Sequence, residues 1–224
     1  MPKLTVEQKS LRKEYYKFLN PEERVDRTMI EESIVNYDIE DVDYTGKVCL
    51  DLGGNIGGFT KIAVDRGAKK VIVVECDPRN AGKIRESFKD VSNVELIYSA
   101  VSGSEDRTIK IYKSSSQNNH CSTSIVKKMN FGEYDEVPNV HVKELLQKYK
   151  PDIIKIDIES AEYQILDYID EYHPEFLFIE LHGNTTRALS EEWAERLAGI
   201  SSKSEIKELI VFSRVFGYDC WFKK

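Results

Sequence analysis

A short apolar run followed by a glycine-rich turn decides the fold of this chain: Val48-Cys49-Leu50-Asp51-Leu52-Gly53-Gly54-Asn55-Ile56-Gly57-Gly58-Phe59-Thr60. The apolar run predicts a buried strand, and residues 58–66 predict a helix that begins directly after the turn. Glycine suits such a turn because the chain bends sharply and lets a ligand approach the backbone. The start of the helix then offers free N–H groups to that ligand. We therefore expect a ligand-binding unit here, although tight turns also use glycine for geometry alone.

The next apolar run strengthens this interpretation. It ends in an acidic residue, Glu75, 24 positions after Asp51. A carboxylate at this point can accept both ribose hydroxyls of an adenosine. Two cofactor classes share this feature, and the glycine spacing separates them: NAD proteins usually have G-x-G-x-x-G, whereas here Asp51 opens a D-x-G-x-x-x-G pattern. The spacing disfavours an NAD-dependent oxidoreductase.

From residue 47 onward, apolar runs alternate with amphipathic stretches, which is typical of a parallel sheet with helices on both faces. We predict strands at 48–51, 70–75, 94–98, 108–112, 152–157, 175–181, 206–216 and 218–222. We predict helices at 58–66, 79–89, 142–149, 161–169 and 190–199, and a long polar loop at 113–134. The sequence thus indicates an α/β, Rossmann-like fold whose sheet is mostly parallel, with an antiparallel final strand.

The residues before the first strand predict two helices, one that ends before Pro21 and one over 24–35. We expect them to form a cap over the sheet with their tyrosines in the core, from where Tyr15, Tyr16 or Arg24 could also reach a substrate. The length fits one domain over 1–224, with the cap at 1–46 and the Rossmann-like core at 47–224.

The composition suits a folded, water-soluble chain, with 41% hydrophobic and 32% charged residues and a net charge of −7. Basic residues are dispersed among acidic ones, so nucleic acid is a disfavoured partner. The four cysteines form no C-x-x-C pair, which gives no zinc or redox motif. Neither a signal peptide nor an apolar stretch of membrane-spanning length is present. We expect a cytoplasmic protein with no membrane span.

Five motifs in this order resemble the FkbM family of class I methyltransferases: DLGGNIGGFT at 51–60, VVECDP at 73–78, SAVS at 99–102, IIKIDIESAEYQIL at 153–166 and FIELHG at 178–183. The resemblance covers residues 47–184. It implies S-adenosylmethionine as cofactor and, commonly, a hydroxyl of a sugar or polyketide as methyl acceptor.

The resemblance also implies a role for each matching position. The methionine part of the cofactor is held by Gly53, Gly54, Asn55 and Gly57, and its amino group faces Asp51. Glu75 holds the ribose. The adenine lies between Cys76 and Asp77 on one side and Ala100 and Val101 on the other. The family often has Glu-Gly-Ala-Glu where this chain has Glu159-Ser160-Ala161-Glu162, so we expect this loop to be less able to adopt a positive φ.

Methyl transfer to a hydroxyl needs a base or a metal ion, because a neutral alcohol is a poor nucleophile. The candidates lie at the carboxyl ends of the fourth and fifth core strands, at the edge where open α/β sheets bind ligands: Lys155, Asp157, Glu159, Glu180 and His182. Within each of the pairs Asp157/Glu159 and Glu180/His182, one residue intervenes, which places both side chains on the same side of an extended segment.

Three interpretations of these residues stay open. In the first, His182 or Asp157 accepts the proton of the acceptor hydroxyl. In the second, Asp157, Glu180 and His182 bind Mg²⁺ or Mn²⁺, similar to catechol-type methyltransferases. In the third, Glu180 and His182 only cap strand ends or pair with Lys155.

The leading functional interpretation is O-methylation of a sugar or glycan by S-adenosylmethionine. His120, in the polar loop, is a candidate for acceptor binding. The alternatives are methylation of another small molecule or of a protein side chain, and a non-catalytic cofactor-binding module.

Overall fold

The structure is a computed structural model that describes residues 4–114, 125, 131–159, 161–182, 208–215 and 218–223. Its strands in this part of the chain are β1 Val48–Leu52, β2 Lys70–Glu75, β3 Val94–Tyr98, β4 Ala100–Ser102, β5 Thr108–Ser114, β6 Phe131–His141, β7 Ile153–Ile156, β8 Phe176–His182, β9 Glu208–Val215 and β10 Tyr218–Lys223. Its α-helices there are α1 Val6–Leu19, α2 Arg24–Tyr37, α3 Gly58–Asp65, α4 Pro78–Ser87, α5 Val142–Tyr149 and α6 Leu166–Tyr172.

Seven strands form the main sheet, in the order β10-β9-β8-β7-β1-β2-β3. Neighbouring strands are parallel throughout, except that β10 runs antiparallel to β9. A smaller sheet has the order β4-β6-β5. The predicted α/β class, the mostly parallel sheet and the antiparallel final strand are confirmed.

Helices cover both faces of the central strands. Leu50 and Leu52 of β1 pack into an apolar layer with α5 and α6, whereas Cys49, on the other face, packs with α1, α2 and α3. This alternation follows the two-residue period of a strand. Burial on both faces explains why the central strands are almost continuously apolar.

The N-terminal helices belong to one of these layers. Helix α1 begins at a capping box formed by Thr5 and Gln8, which satisfies two backbone N–H groups at the helix start. Helix α2 is joined to α4 by a bidentate ion pair in which Arg79 donates to both carboxylate oxygens of Asp26, each at 3.0 Å. Asp26 is only 1% exposed, so this pair ties the N-terminal segment to the core.

Two predictions of local structure are wrong. Residues 113–134 are not loop throughout, because β5 extends to Ser114 and β6 begins at Phe131. In these two paired strands Ile111 and Val137 face inward while polar residues face outward, so no apolar run marks β6. The helix expected at 161–169 is a 3₁₀ turn, Glu162–Gln164, followed by α6.

The predicted helix at 190–199, and His120 within the polar loop, lie outside the described residues. In the part of the chain that is described, no helix combines the length and the apolar character that a membrane crossing needs.

Candidate active site

The turn after β1 lies tightly against the end of β7. Gly53 has a φ of +81°, and a Cβ at this position would lie 1.8 Å from the carbonyl oxygen of Asp157. Gly57, with a φ of +94°, precedes α3 in a conformation that side chains rarely adopt. Both glycines are therefore required by the backbone and its close packing.

Glu75, the last residue of β2, faces this turn. Its two carboxylate oxygens accept hydrogen bonds of 2.7 Å from the backbone N–H groups of Asn55 and Asp77. The side chain is only 7% exposed. Burial raises the pKa of Glu75 to about 7, although both hydrogen bonds act in the opposite direction. The predicted ribose carboxylate is thus a buried group that joins the glycine turn to the residues after β2.

Asp77 has a structural role in this arrangement. Its carboxylate caps α4 by accepting hydrogen bonds from the backbone N–H groups of Arg79 and Asn80, at 2.9 and 3.1 Å. Cys76, beside it, is half-buried and packs with Ala100. Val101 belongs to the apolar layer under α5 and α6. The predicted adenine-binding residues therefore lie next to the end of β2, with Val101 directed into the core.

A buried ion pair lies beneath the turn. Asp51 is fully buried, accepts a hydrogen bond of 2.7 Å from the hydroxyl of Thr60, and lies 3.2 Å from the Nζ of Lys155. Lys155 also donates to the carbonyl oxygen of Gly53 and lies 3.8 Å from Asp157. Burial alone would lower the pKa of Lys155, but the two carboxylates outweigh it and raise that pKa. Lys155 therefore carries a positive charge that fixes the turn.

The remaining catalytic candidates lie at the carboxyl ends of β7 and β8. The side chain of Asp157 is 30% exposed, and its backbone N–H donates to the carbonyl of Leu52 at 3.0 Å. Glu180 is 8% exposed. His182 is the last residue of β8, and its side chain lies outside the described part of the structure. Asp157 thus contacts the turn through its backbone and has a side chain that is partly exposed to solvent.

The loop after β7 does contain a positive φ, contrary to expectation. The residue that adopts it is Glu159, with a φ of +53°, while Ser160 is not among the described residues. A non-glycine residue in this region is uncommon and is held there by its surroundings. Glu162 contributes, because its fully buried carboxylate accepts a hydrogen bond of 3.1 Å from the backbone N–H of Ile158.

A metal site was one interpretation of this edge. Within the described residues, no group of three or more His, Cys, Asp or Glu side chains could hold a metal ion. The proposed set of Asp157, Glu180 and His182 includes a histidine whose side chain is not described, so the set itself remains a hypothesis.

The glycine turn, the carboxylate that ends β2 and the polar edge at the ends of β7 and β8 all lie within a segment that one family model matches. The model of the methyltransferase FkbM domain fits residues 51–220. The chain belongs to the FkbM methyltransferase family. It is accordingly a class I, S-adenosylmethionine-dependent methyltransferase, as the sequence motifs indicated.

Solved structures similar to this FkbM methyltransferase are distant. One is a putative RNA methyltransferase from Pyrococcus horikoshii, 16% identical, with 92% of this chain and 84% of that chain covered and a TM-score of 0.46. Another is precorrin-6y C5,15-methyltransferase from Geobacter metallireducens, 12% identical, with coverage of 88% and 83% and a TM-score of 0.43. A search of the curated proteins gave no match.

One neighbour of Lys155 in this FkbM methyltransferase was missed in the sequence. Tyr37, the last residue of α2, lies 6.0 Å from the Nζ of Lys155, measured to the ring centroid. The tyrosines considered earlier point elsewhere: Tyr15 is buried beside α3, and Tyr16 donates to Glu31 at 2.7 Å. The helical spacing of Ile30, Ile34 and Tyr37 would have indicated a longer helix, but no local pattern indicates contact with Lys155.

Proposed function

We propose that this FkbM-family chain transfers a methyl group from S-adenosylmethionine to a hydroxyl of a sugar or glycan, with Asp157 as proton acceptor. One observation carries the proposal: Asp157 packs against Gly53 of the glycine turn through its backbone carbonyl, while its partly exposed carboxylate lies 3.8 Å from the Nζ of Lys155. A base at this point serves a hydroxyl acceptor, which must lose its proton when its oxygen takes the methyl group.

The residues around the turn fit the cofactor. Glu75 offers a buried carboxylate for the ribose hydroxyls, next to the backbone of Asn55. Residues 53–57 and Asp51 would hold the methionine part, and Cys76, Asp77 and Ala100 would lie around the adenine, while the side chain of Val101 packs in the core. When bound, S-adenosylmethionine supplies an electrophilic methyl group. The protein contributes orientation and a proton acceptor, which together account for a large share of the rate in such reactions.

Lys155 and Asp51 support the proposed base without exchanging protons themselves. Lys155 holds the carbonyl of Gly53 and lies between the carboxylates of Asp51 and Asp157. We propose that this fixed cation positions the carboxylate of Asp157, whose side chain is 30% exposed, for the acceptor. We propose that Glu159 and Glu180, at the ends of β7 and β8, add polar groups for the hydroxyls of a sugar. His182 is the second candidate for the proton acceptor.

The charge of the chain favours a neutral acceptor. A net charge of −7 repels a phosphate backbone and does not repel an uncharged sugar. We therefore rank carbohydrate acceptors above RNA.

The test is transfer of a labelled methyl group to a panel of sugars, glycans, small phenols, proteins and RNA. We expect label on a sugar hydroxyl. Asp157→Asn is expected to reduce turnover at least ~100-fold while the affinity for S-adenosylhomocysteine stays unchanged. Glu86→Gln, on the exposed face of α4, is the matched carboxylate control and is expected to keep full activity.

Three results would change the assignment. Full turnover in Asp157→Asn, with loss in His182→Ala, would transfer the role of base to His182. Loss of activity on chelation and its return with Mg²⁺ or Mn²⁺ would replace the base by a metal ion bound at Asp157, Glu180 and His182. Label on a protein, on RNA or on a phenol would overturn the sugar assignment.

A further inference from the structure

The peptide groups on both sides of Asp157 are held by the rest of the fold. Before it, the N–H of Asp157 donates to the carbonyl oxygen of Leu52 in β1 at 3.0 Å. After it, the N–H of Ile158 donates to a carboxylate oxygen of Glu162 at 3.1 Å. Peptide groups are planar, so fixing both planes fixes the φ and ψ of Asp157. The direction in which its side chain leaves the backbone is then fixed as well.

The carbonyl of Asp157 is confined by the glycine turn. A Cβ at Gly53 would lie 1.8 Å from the oxygen of this carbonyl and 2.8 Å from its carbon. The carbonyl belongs to the same peptide group as the N–H of Ile158. The position of that peptide group therefore depends on the glycine turn at one end and on Glu162 at the other.

Glu162 acts from a turn that is itself held in place. It begins the 3₁₀ turn before α6 and is fully buried, with 0% exposure. The N–H of Ile165 donates to the carbonyl of Glu162 at 3.1 Å. The chain after β4 packs closely on this turn, since a Cβ at Gly103 would lie 2.6 Å from the carbonyl oxygen of Gln164. The carboxylate thus reaches back to Ile158 from a fixed support.

The backbone between Asp157 and Glu162 adopts an uncommon conformation. Glu159 has a φ of +53°, in the left-handed region that residues other than glycine seldom occupy. Such a conformation persists only where the surrounding structure holds it. Loss of the hydrogen bond from Ile158 to Glu162 would allow the loop to relax, and the peptide group after Asp157 would turn with it.

We propose that Glu162 is a positioning residue for methyl transfer, which sets the direction of the Asp157 carboxylate through the N–H of Ile158. The inference rests on the proposed function, because it takes Asp157 as the proton acceptor. It goes beyond that function in assigning a part in turnover to a fully buried side chain. Displacement of a reacting group by about 1 Å can slow a reaction by about 100-fold, so one such hydrogen bond is enough to affect the rate.

Two conservative variants separate the reach of Glu162 from its charge. Glu162→Asp keeps the charge but is shorter by one methylene group, which withdraws the carboxylate from Ile158. We expect it to lower kcat about tenfold. Glu162→Gln keeps the length and an accepting oxygen, so it should restore kcat to within about threefold of the wild type. Glu171→Asp, on the exposed surface of α6, is the matched control and should keep full kcat.

Binding of S-adenosylhomocysteine distinguishes positioning from a general loss of structure. The glycine turn has its own support, because the N–H groups of Gly53 and Gly54 donate to the carbonyl of Val74 at 3.0 and 3.1 Å. We therefore expect the Kd of Glu162→Asp for S-adenosylhomocysteine to stay within about twofold of the wild type. A Kd that rises in proportion to the loss in kcat would overturn the inference, because the whole site would then be displaced.

Hydrogen exchange at the amide of Ile158 tests the contact without any acceptor. In the wild type this N–H is bonded to Glu162 and should exchange slowly. We expect exchange to be at least ~10-fold faster in Glu162→Asp and close to the wild-type rate in Glu162→Gln. Unchanged exchange in Glu162→Asp, or faster exchange with full kcat, would overturn the inference.

The outcomes for the proposed function and for Glu162 can be told apart. The kinetic assays use whichever acceptor takes the label, so a non-sugar acceptor would refute the proposed substrate and leave the result for Glu162 readable. Full turnover in Asp157→Asn would refute the proposed base and the inference together. Loss of turnover in Asp157→Asn, with full turnover in Glu162→Asp, would refute the inference alone.

Discussion

Replacement of Glu75 by glutamine is expected to change how the free energy of unfolding depends on pH. In the folded protein burial raises the pKa of Glu75 from its ordinary value of 4.5 to about 7. The folded state therefore binds this proton more tightly than the unfolded chain does. The stability that this proton contributes is complete below about pH 4.5 and is lost as the pH rises through 7.

The size of the change in stability follows from how far the pKa of Glu75 is raised. A tenfold change in an equilibrium constant is worth about 1.4 kcal/mol, so Glu75 makes the folded protein ~3 kcal/mol less stable at pH 8 than at pH 5. Glutamine does not titrate, so the variant does not lose this stability as the pH rises. It also replaces one accepting oxygen by an NH₂ group, which conflicts with the N–H of Asn55 or Asp77 and costs about 1–3 kcal/mol at every pH.

Urea unfolding at pH 5 and pH 8 measures this effect directly. Relative to the wild-type chain, Glu75→Gln is expected to gain up to ~3 kcal/mol between pH 5 and pH 8. Glu86→Gln on the exposed surface of α4 is the control and should follow the wild type. An identical pH dependence in wild type and Glu75→Gln would refute the reasoning, because it would mean that Glu75 ionises in the fold as it does in water. The same variant is expected to lose binding of S-adenosylhomocysteine at both pH values.

Two further predictions concern the scaffold of the site. Gly53→Ala places a Cβ 1.8 Å from the carbonyl oxygen of Asp157, so it should lower the free energy of unfolding by more than about 2 kcal/mol and abolish cofactor binding. Gly46→Ala is the control, also at positive φ but with nothing within 4 Å of the new Cβ, and should lower it by about 1 kcal/mol. Equal losses of the two variants in urea unfolding would contradict this prediction. Arg79→Met leaves the buried carboxylate of Asp26 without its bidentate partner and should lower the free energy of unfolding by about 3 kcal/mol. Glu86→Gln removes an exposed ion pair and should lower it by less than ~0.5 kcal/mol. A similarly small loss in Arg79→Met would contradict the role of the Arg79–Asp26 pair in holding α2.

The elements that the sequence predicted best are those whose pattern is local. Strand β2 was predicted with its observed bounds because both of its faces are buried, and α5 because its apolar residues repeat at helical spacing. Strand β6 was overlooked because one of its faces is polar. The segment after Glu159 was assigned as a helix too early, since the side chain of Glu162 turns back to the backbone of Ile158 and delays the helix until Leu166.

The residues of the candidate site also differ in whether a local sequence pattern identifies them. Glu75 could be identified because a strand end and a glycine turn mark it at a known spacing. The role of Lys155 as a buried cation between Asp51 and Asp157 depends on the neighbouring order of β1 and β7, which sequence patterns do not state. Tyr37 depends on a contact between segments more than a hundred residues apart, between α2 and Lys155, and no spacing rule covers it.

The most direct test of the account is the transfer of labelled methyl from S-adenosylmethionine to sugar hydroxyls by the wild-type chain and by Asp157→Asn, with S-adenosylhomocysteine binding measured in parallel. We predict label on a sugar oxygen with the wild type, a loss of at least ~100-fold in the variant, and equal binding of S-adenosylhomocysteine by both. Equal turnover by the two proteins would contradict the assignment of Asp157 as the base, and tight binding without transfer to any sugar would contradict the proposed acceptor.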